Sequence, residues 1–447
     1  MDSAKSTQPD IGTHYPEHVA AVTARYDDAL AKAGAGYAVV FSGAPKLRFL
    51  DDNYYPFTAN PHFVSWLPLT AMPHCYLVYA PGKKPRLIYF QEKDYWHSPP
   101  AMPEGYWTAH FDIRIVHTHD EIPKHLPANR DNCILIGEIE EDAQASGIER
   151  INPTSALNIL HYARARKTSY ELECLRAASR RGVLGHRAAE RAFRNGKSEY
   201  EIHLDYCRAA GHTERELPYG NIIALNENGA ILHYQHQSRK APAVSRSFLI
   251  DAGATVNGYA SDISRTYSAE DAEFQALIDQ MDSLQSDLTA SVRDGVDFRD
   301  LHMETHRRIA ALLVDADLAT GSVDELIGNG VTTAFYPHGL GHFLGIQVHD
   351  VGGFMGDENG AVIERPSAHP FLRLTRTLET DQVLTIEPGI YAIDMLQDEL
   401  QGSPGHAMVN QKRYEWLRGF GGIRIEDNVR VLPDGCENLT RDAFADA

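Results

Sequence analysis

The chain has 447 residues, 43% of them hydrophobic and 23% charged, with a formal net charge of −19. That length predicts two domains rather than one core, the acidic balance argues against a nucleic-acid surface or an anionic membrane as partner, and no apolar run approaches the ~20 residues of a membrane-spanning helix. Five scattered cysteines without a Cys-x-x-Cys pair suit reduced thiols, and the first residues lack the apolar core of a signal peptide, so a cytoplasmic protein is expected.

In chain order, residues 18–33 read as a helix, followed by a β-prone run Tyr37–Phe41. Further strands are expected at Cys75–Tyr79, Arg86–Phe90 and Cys133–Gly137, which makes residues 1–165 a smaller N-terminal α/β domain. Its most unusual stretch, Phe49-Leu-Asp51-Asp52-Asn-Tyr-Tyr-Pro-Phe57, is too rich in aromatics, Asp and Pro for a helix or strand and predicts an ordered loop.

A second regime, 166–447, opens at Thr168-Ser-Tyr-Glu171, a capping-box start, and Ser198-Glu-Tyr-Glu201 is another. Phe274, Leu277, Met281, Leu284 and Leu288 keep a helical stripe that should stop near Gly295, and a further helix is expected over 299–318. Strands return at Val383–Ile386 and Ile423–Val431, so the whole reads as α+β. The polar stretch 394–416 matches no pattern.

Asp251 and Asp262 flank Asn257-Gly258, the strongest short-range hairpin signal, which favours a two-residue type I′ turn. In that register Gly253 opposes Asp262 and Asp251 opposes Ser264. The two carboxylates share a face as diagonal neighbours, with backbones roughly 7–8 Å apart. Like charges so placed repel unless something positive lies between them, and a divalent cation meets that need.

Other segments hold candidates with ordinary explanations of their own. His338-Gly-Leu-Gly-His342-Phe-Leu-Gly-Ile-Gln-Val-His349 could be a wet glycine-rich turn, or it could bring imidazoles close to a site. Glu387 ends an apolar strand and could be a rim carboxylate. Arg424 and Glu426 share a strand face, with Asp427 on the other, and could form a surface ion pair worth under about 1 kcal/mol. His233, beside Leu232 and Tyr234, could be structural. Taken together, Asp251, Asp262, His342, Glu387 and Glu426 make a hard, oxygen-rich set suited to Mn²⁺, Mg²⁺, Co²⁺ or Zn²⁺. Shared carboxylates suit two metals about 3.5–4 Å apart, the geometry that activates a bridging water for hydrolysis.

The order Asp, Asp, His, Glu, Glu, with these local sequences, resembles the pita-bread metallopeptidases, which include methionine aminopeptidase, aminopeptidase P and prolidase. It is most similar to the bacterial Xaa-Pro dipeptidases, near relatives of the organophosphorus acid anhydrolases. The likeness is tightest over 219–431 and looser in the first domain, where the Phe49–Asp52 and Asn60–Phe63 stretches carry it. The resemblance implies a C-terminal pita-bread (creatinase/aminopeptidase-like) domain behind a smaller creatinase-type α/β domain. It implies two divalent ions, Mn²⁺ foremost, that generate a bridging hydroxide for hydrolysis of Xaa-Pro dipeptides. Asp251 would chelate one metal, Asp262 and Glu426 would bridge, and His342 and Glu387 would bind the second. Glu387 would also move the proton. His233 and His349 would stand on the substrate side, Arg424 would bind the dipeptide carboxylate, and Tyr219 and His338 would line the pocket. Ser264 stands where many relatives carry Thr. The resemblance further implies a homodimer in which Asp51 or Asp52 contributes across the interface near the substrate's amino group. Three alternatives stay in view: aminopeptidase P action on longer peptides, phosphotriester hydrolysis as a side reaction, and a non-enzymatic binding module.

Overall fold

The computed structural model describes residues 11–138 and 146–447, and it divides the chain into two compact units. The first comprises Met1–Cys174 with Asn257–Tyr259 and Asp357–Ala361; the second holds the rest.

In the first unit, helix α1 (Tyr15–Ala33) begins three residues before its expected start, with Pro in its first turn, and ends on Gly34 in the left-handed region. Its buried stripe of Tyr15, Val19, Val22, Tyr26, Ala29 and Leu30 has helical period. Five strands form one mixed sheet: β1 (Tyr37–Phe41), β2 (Tyr76–Tyr79), β3 (Arg86–Phe90), β4 (Asp112–Val116) and β5 (Cys133–Ile136), in the order β4-β3-β2-β1-β5. The three central strands are antiparallel neighbours, and β4 and β5 flank them in parallel. Helix α2 (Thr154–Arg164) packs against α1. Residues 46–55 form a narrow finger: Arg48 and Tyr55 donate backbone hydrogen bonds to Asn53 and Lys46, and Leu47 bridges Tyr54. The Thr168 box forms, with the Thr168 N–H donating to Glu171 Oε2 at 2.8 Å.

In the second unit, α3 (Glu199–Ala210) carries the reciprocal Ser198/Glu201 box. Strands β6 (Ile222–Leu225), β7 (Ser247–Asp251) and β8 (Ser264–Ser268) form an antiparallel sheet in the order β8-β7-β6. Helix α4 (Ala272–Ala290) buries all five residues of the expected stripe. It stops at Ala290, five residues short of the expected Gly295, and the chain turns there before the glycine takes its positive φ of 82°. Helix α5 (Phe298–Asp315) occupies most of the expected range. Strand β9 (Val383–Ile386) precedes β10 (Gly389–Tyr391). The single strand expected over 423–431 is instead two: β11 (Gly422–Arg424) pairs β10, and β12 (Asp427–Leu432) pairs β9 and the final strand, Gly435–Asn438. The break at Ile425-Glu426 lets one chain segment serve two sheets. Residues 394–416 contain three short helices, Asp394–Glu399, Pro404–Met408 and the start of Gln411–Arg418. Among the described residues no helix is long and apolar enough to cross a membrane.

Candidate metal centre

The expected hairpin register is present. Ser264 faces Asp251, Ala252 N–H donates to Ile263 O, and Ser261 N–H donates to Ala254 O. Asn257 and Gly258 have φ of 53° and 88°, the double positive φ of a type I′ turn. The two strand ends approach so closely that a Cβ on Gly253 would lie 2.0 Å from Ser261 O. Tyr219 then spans the two carboxylates, its hydroxyl 2.7 Å from Asp251 Oδ1 and 2.5 Å from Asp262 Oδ1.

His342 reaches the same spot from the segment before β9. Gly341 makes that possible, since a Cβ there would lie 2.0 Å from Thr385 O. The His342 N–H donates to Thr385 Oγ1 at 3.2 Å, and its Nδ1 meets Phe343 O at 3.0 Å. A ring that donates through Nδ1 presents the lone pair of Nε2, the tautomer a metal ligand needs. That Nε2 lies 3.5 Å from Asp262 Oδ2 and 3.7 Å from Glu387 Oε1. Glu426 enters through an isolated bridge between its backbone and Ser264, whose hydroxyl donates to Glu426 Oε2 at 2.7 Å. Ligand atoms of Asp262, His342 and Glu426 all lie within 4.8 Å of one another, and all three side chains are buried.

The electrostatics are those of too many acids in one dry place. Burial first, and then the Asp262 charge, push Asp251 up to about 6 against the pull of Arg424. Burial pushes Glu387 up to about 7, with His342 opposing and Asp262 adding. Glu426 is raised by burial and by the charges of Asp262, Glu387 and Asp251. Burial also works against a charged Asp262, but its hydrogen bond to His342 and that ring's charge hold it below the usual range. Oxygen donors that resist sharing negative charge around one imidazole fit a hard divalent ion or a pair of them.

Arg424, expected to bind the substrate carboxylate, is already paired within the site. It is 4% exposed, and its Nε, Nη1 and Nη2 donate to Ser264 Oγ, Tyr391 Oη and Asp251 Oδ2 at 3.0, 3.1 and 2.8 Å. A dipeptide carboxylate could use it only by sharing it with Asp251. His338 stands beside this group, its Nε2 2.8 Å from Tyr391 Oη and its Nδ1 3.8 Å from Glu387 Oε2. Burial holds its ring neutral, at about 3. His349 is exposed and sets its ring edge-on to His342, with centroids 4.4 Å apart. His233 is also exposed, and its charge acts on both His338 and His349. Asp51 and Asp52 belong to the first unit, exposed on the finger, where Asn53 caps the Asp51 carboxylate.

Three supporting residues escaped the sequence reading. Thr385 Oγ1 lies 3.5 Å from Glu387 Oε1, Tyr391 ties His338 to Arg424, and Asn428 accepts the Asp262 N–H at 3.0 Å while donating to its carbonyl. Thr385 and Asn428 each sit two positions from a site acid, Glu387 and Glu426, and that spacing was the available signal.

Comparison with known proteins gives the family. Residues 13–162 match the model for the Xaa-Pro dipeptidase N-terminal domain, and residues 173–433 match that for metallopeptidase family M24. An Xaa-Pro dipeptidase of Xanthomonas campestris is 50% identical over 441 residues, covering 98% of this chain and 99% of that one. One from Shewanella baltica is 49% identical over 432 residues, covering 97% and 98%. Among solved structures, the aminopeptidase PepP of Pseudomonas aeruginosa superposes with a TM-score of 0.72 at 25% identity, covering 97% of this chain and 95% of that one. Carrying both domain matches, the acid-rich centre and a half-identical relative along nearly its whole length, the chain belongs to metallopeptidase family M24 and, within it, to the Xaa-Pro dipeptidases.

Proposed function

We propose that this protein hydrolyses Xaa-Pro dipeptides at a centre of two divalent ions, Mn²⁺ foremost, held by Asp251, Asp262, His342, Glu387 and Glu426. The observation that carries this reading is the convergence of four carboxylates and one imidazole, three of the carboxylates pushed toward neutrality by mutual repulsion and burial. Near half-identity to Xaa-Pro dipeptidases along 98% of the chain supplies the substrate class. An Xaa-Pro bond is a tertiary amide that general peptidases accommodate poorly, so a dedicated pocket is chemically sensible.

When bound, the two ions supply Lewis acidity and lower the pKa of water enough to give a nucleophile at neutral pH. The protein's own groups do the rest. Glu387 accepts a proton from water and returns it to the leaving proline nitrogen. His349 and His233, both at the exposed side, stabilise the oxyanion of the tetrahedral carbon. Arg424 holds Asp251 in place and lends its positive charge to the substrate carboxylate from behind that pair. Tyr219 and His338 shape the pocket wall. The enzyme works as a homodimer, with the 46–55 finger of one subunit, including Asp51 and Asp52, serving the substrate amino group of the other.

Dialysis against chelator should abolish turnover of Ala-Pro and Gly-Pro, and added Mn²⁺ should restore it. Faster turnover of tripeptides than of dipeptides would favour aminopeptidase P action instead. Full activity in a verified metal-free sample would sink the proposal.

A further inference from the structure

Helix α5 carries His302 and His306 one helical turn apart, on the same face, and the neighbouring Tyr336 ring, 6.1 and 5.1 Å from theirs, is also 4.7 Å from His338 of the acid centre. His369 comes to meet them from a loop. The three rings touch one another: centroids are 4.8 Å apart for His302–His306, 4.6 Å for His302–His369 and 4.4 Å for His306–His369. One nitrogen from each lies within 4.8 Å of the other two. His302 and His306 are fully buried and His369 is 9% exposed.

Their hydrogen bonding is incomplete in a way that packing does not explain. His306 Nδ1 meets Thr332 Oγ1 at 3.1 Å. Both nitrogens of His302 and the Nε2 of His306 are buried with no hydrogen-bond partner. The hydroxyl of Tyr336, whose ring centroid is 5.1 Å from that of His306, is also buried and unpartnered. Native interiors seldom leave one such group unsatisfied, and here four lie on the neighbouring rings of His302, His306 and Tyr336. Edge-on and tilted ring contacts alone cannot satisfy them, because neutral rings offer one donor and one acceptor apiece and His302 uses neither.

We infer that His302, His306 and His369 form a second, mononuclear metal site, separate from the carboxylate centre, for a borderline transition ion such as Zn²⁺, Co²⁺ or Cu²⁺. The donor set is all nitrogen, which selects against Mn²⁺ and Mg²⁺ and toward these ions. An i, i+4 histidine pair on a helix plus a third imidazole is a sound tripod for tetrahedral coordination, with the fourth position left to water. Burial already holds all three rings in the neutral, ligating form, with His302 near 2 and His306 near 3.

The test uses full-length protein loaded with Mn²⁺, then titrated with Co²⁺ or, separately, Cu²⁺. The expected result is one further ion per chain, with the intense visible bands of tetrahedral Co²⁺ and a Cu²⁺ paramagnetic resonance spectrum split by several nitrogens. His369→Gln, at the least buried position, and His306→Gln should lose that ion while keeping their Mn²⁺. If a variant does not fold, the wild-type spectra still decide. Wild-type protein that binds no ion beyond those of the variants, or a Cu²⁺ spectrum with at most the single nitrogen that His342 can supply, overturns the inference.

Discussion

Arg424 Nη2 and Asp251 Oδ2 lie 2.8 Å apart, with side chains 5% and 15% exposed, so the guanidinium is the fixed counter-charge of an acid in the candidate centre. The family resemblance implies an arginine that binds the dipeptide carboxylate. The geometry changes that expectation. A lysine cannot reproduce three donors aimed at Ser264, Tyr391 and Asp251. Arg424→Lys should therefore weaken metal binding along with turnover, and Arg424→Ala, which strands a buried charge, should also cost about 3–5 kcal/mol of stability. Calorimetric metal titration checks this; a Lys variant with unaltered metal affinity and only a raised KM would restore the clamp role.

Asp262 and Asp427 offer a contrast between two buried aspartates. Asp262 faces His342 and Tyr219, whereas Asp427 is fully buried and paired at 2.7 Å with both Arg265 and Arg441. Asp262→Asn should lose metal affinity and most activity, with a small loss of melting temperature from its broken contact with His342. Asp427→Asn should do the reverse, keeping metal per folded chain while losing about 3 kcal/mol or more of stability, because two arginines lose their partner. Scanning calorimetry alongside metal analysis separates the two, and equal loss of metal in both variants would contradict the placement.

How much of this was legible in the letters depended on whether a residue's partner was local. Asn257-Gly258 set a register that put Asp251 opposite Ser264, because a two-residue turn leaves the pairing no freedom. The stripe Phe274–Leu288 worked for the same reason, since burial of one helix face is periodic in sequence. Strand β4 was missed: at the sheet edge only Val116 is buried, so its pattern carries little signal. The break at Ile425-Glu426 could not be read either, since the alternation of Ile423, Ile425 and Asp427 continues straight through it. The Arg424–Asp251 pair, 173 positions apart, and the meeting of His302 and His306 with His369 are products of tertiary folding alone.

Acid should destabilise the fold through His186. It is fully buried, its Nε2 lies 3.0 Å from Ala252 O, and burial lowers it to about 3, with Arg265 adding to that effect and Asp262 opposing it. The folded state thus refuses a proton that the unfolded chain accepts near 6.5. Between those values the unfolded state binds more protons, so stability is complete above about pH 6.5 and falls as pH drops toward 3, by about 2 kcal/mol at pH 5. Chelator-treated wild type should show this slope in urea titrations across pH 4–7 together with that of the other buried histidines, and His186→Gln should make it shallower by the His186 share, about 2 kcal/mol at pH 5. Parallel slopes for the two proteins would remove His186 as the cause.

The finger of residues 46–55 bears on assembly. Phe49 and Leu50 are 87% and 91% exposed, and Leu47, Tyr54 and Tyr55 are each about half exposed. Apolar side chains gathered on one projection mark an interaction site rather than a solvated turn. Leu50 also holds a φ of 53°, a conformation in which a leucine is strained, and the Asp51 carboxylate accepts from Asn53 N and Nδ2 at 3.2 and 3.0 Å to keep the tip shaped. A floppy linker has no use for such shaping, but a tip that docks does. Replacing Phe49 and Leu50 with Asp adds charge to the docking face without touching any buried residue of the first unit. The double variant should sediment as a monomer with an unchanged melting profile, and its preference for Ala-Pro over N-acetyl-Ala-Pro should fall. Asp51→Ala with Asp52→Ala should lower that same preference while leaving the dimer and its metal in place, because a carboxylate near the substrate amine attracts the free ammonium. Wild-type protein that sediments as a monomer, or a monomeric variant that keeps its full preference for the free amine, would refute the role assigned to the finger.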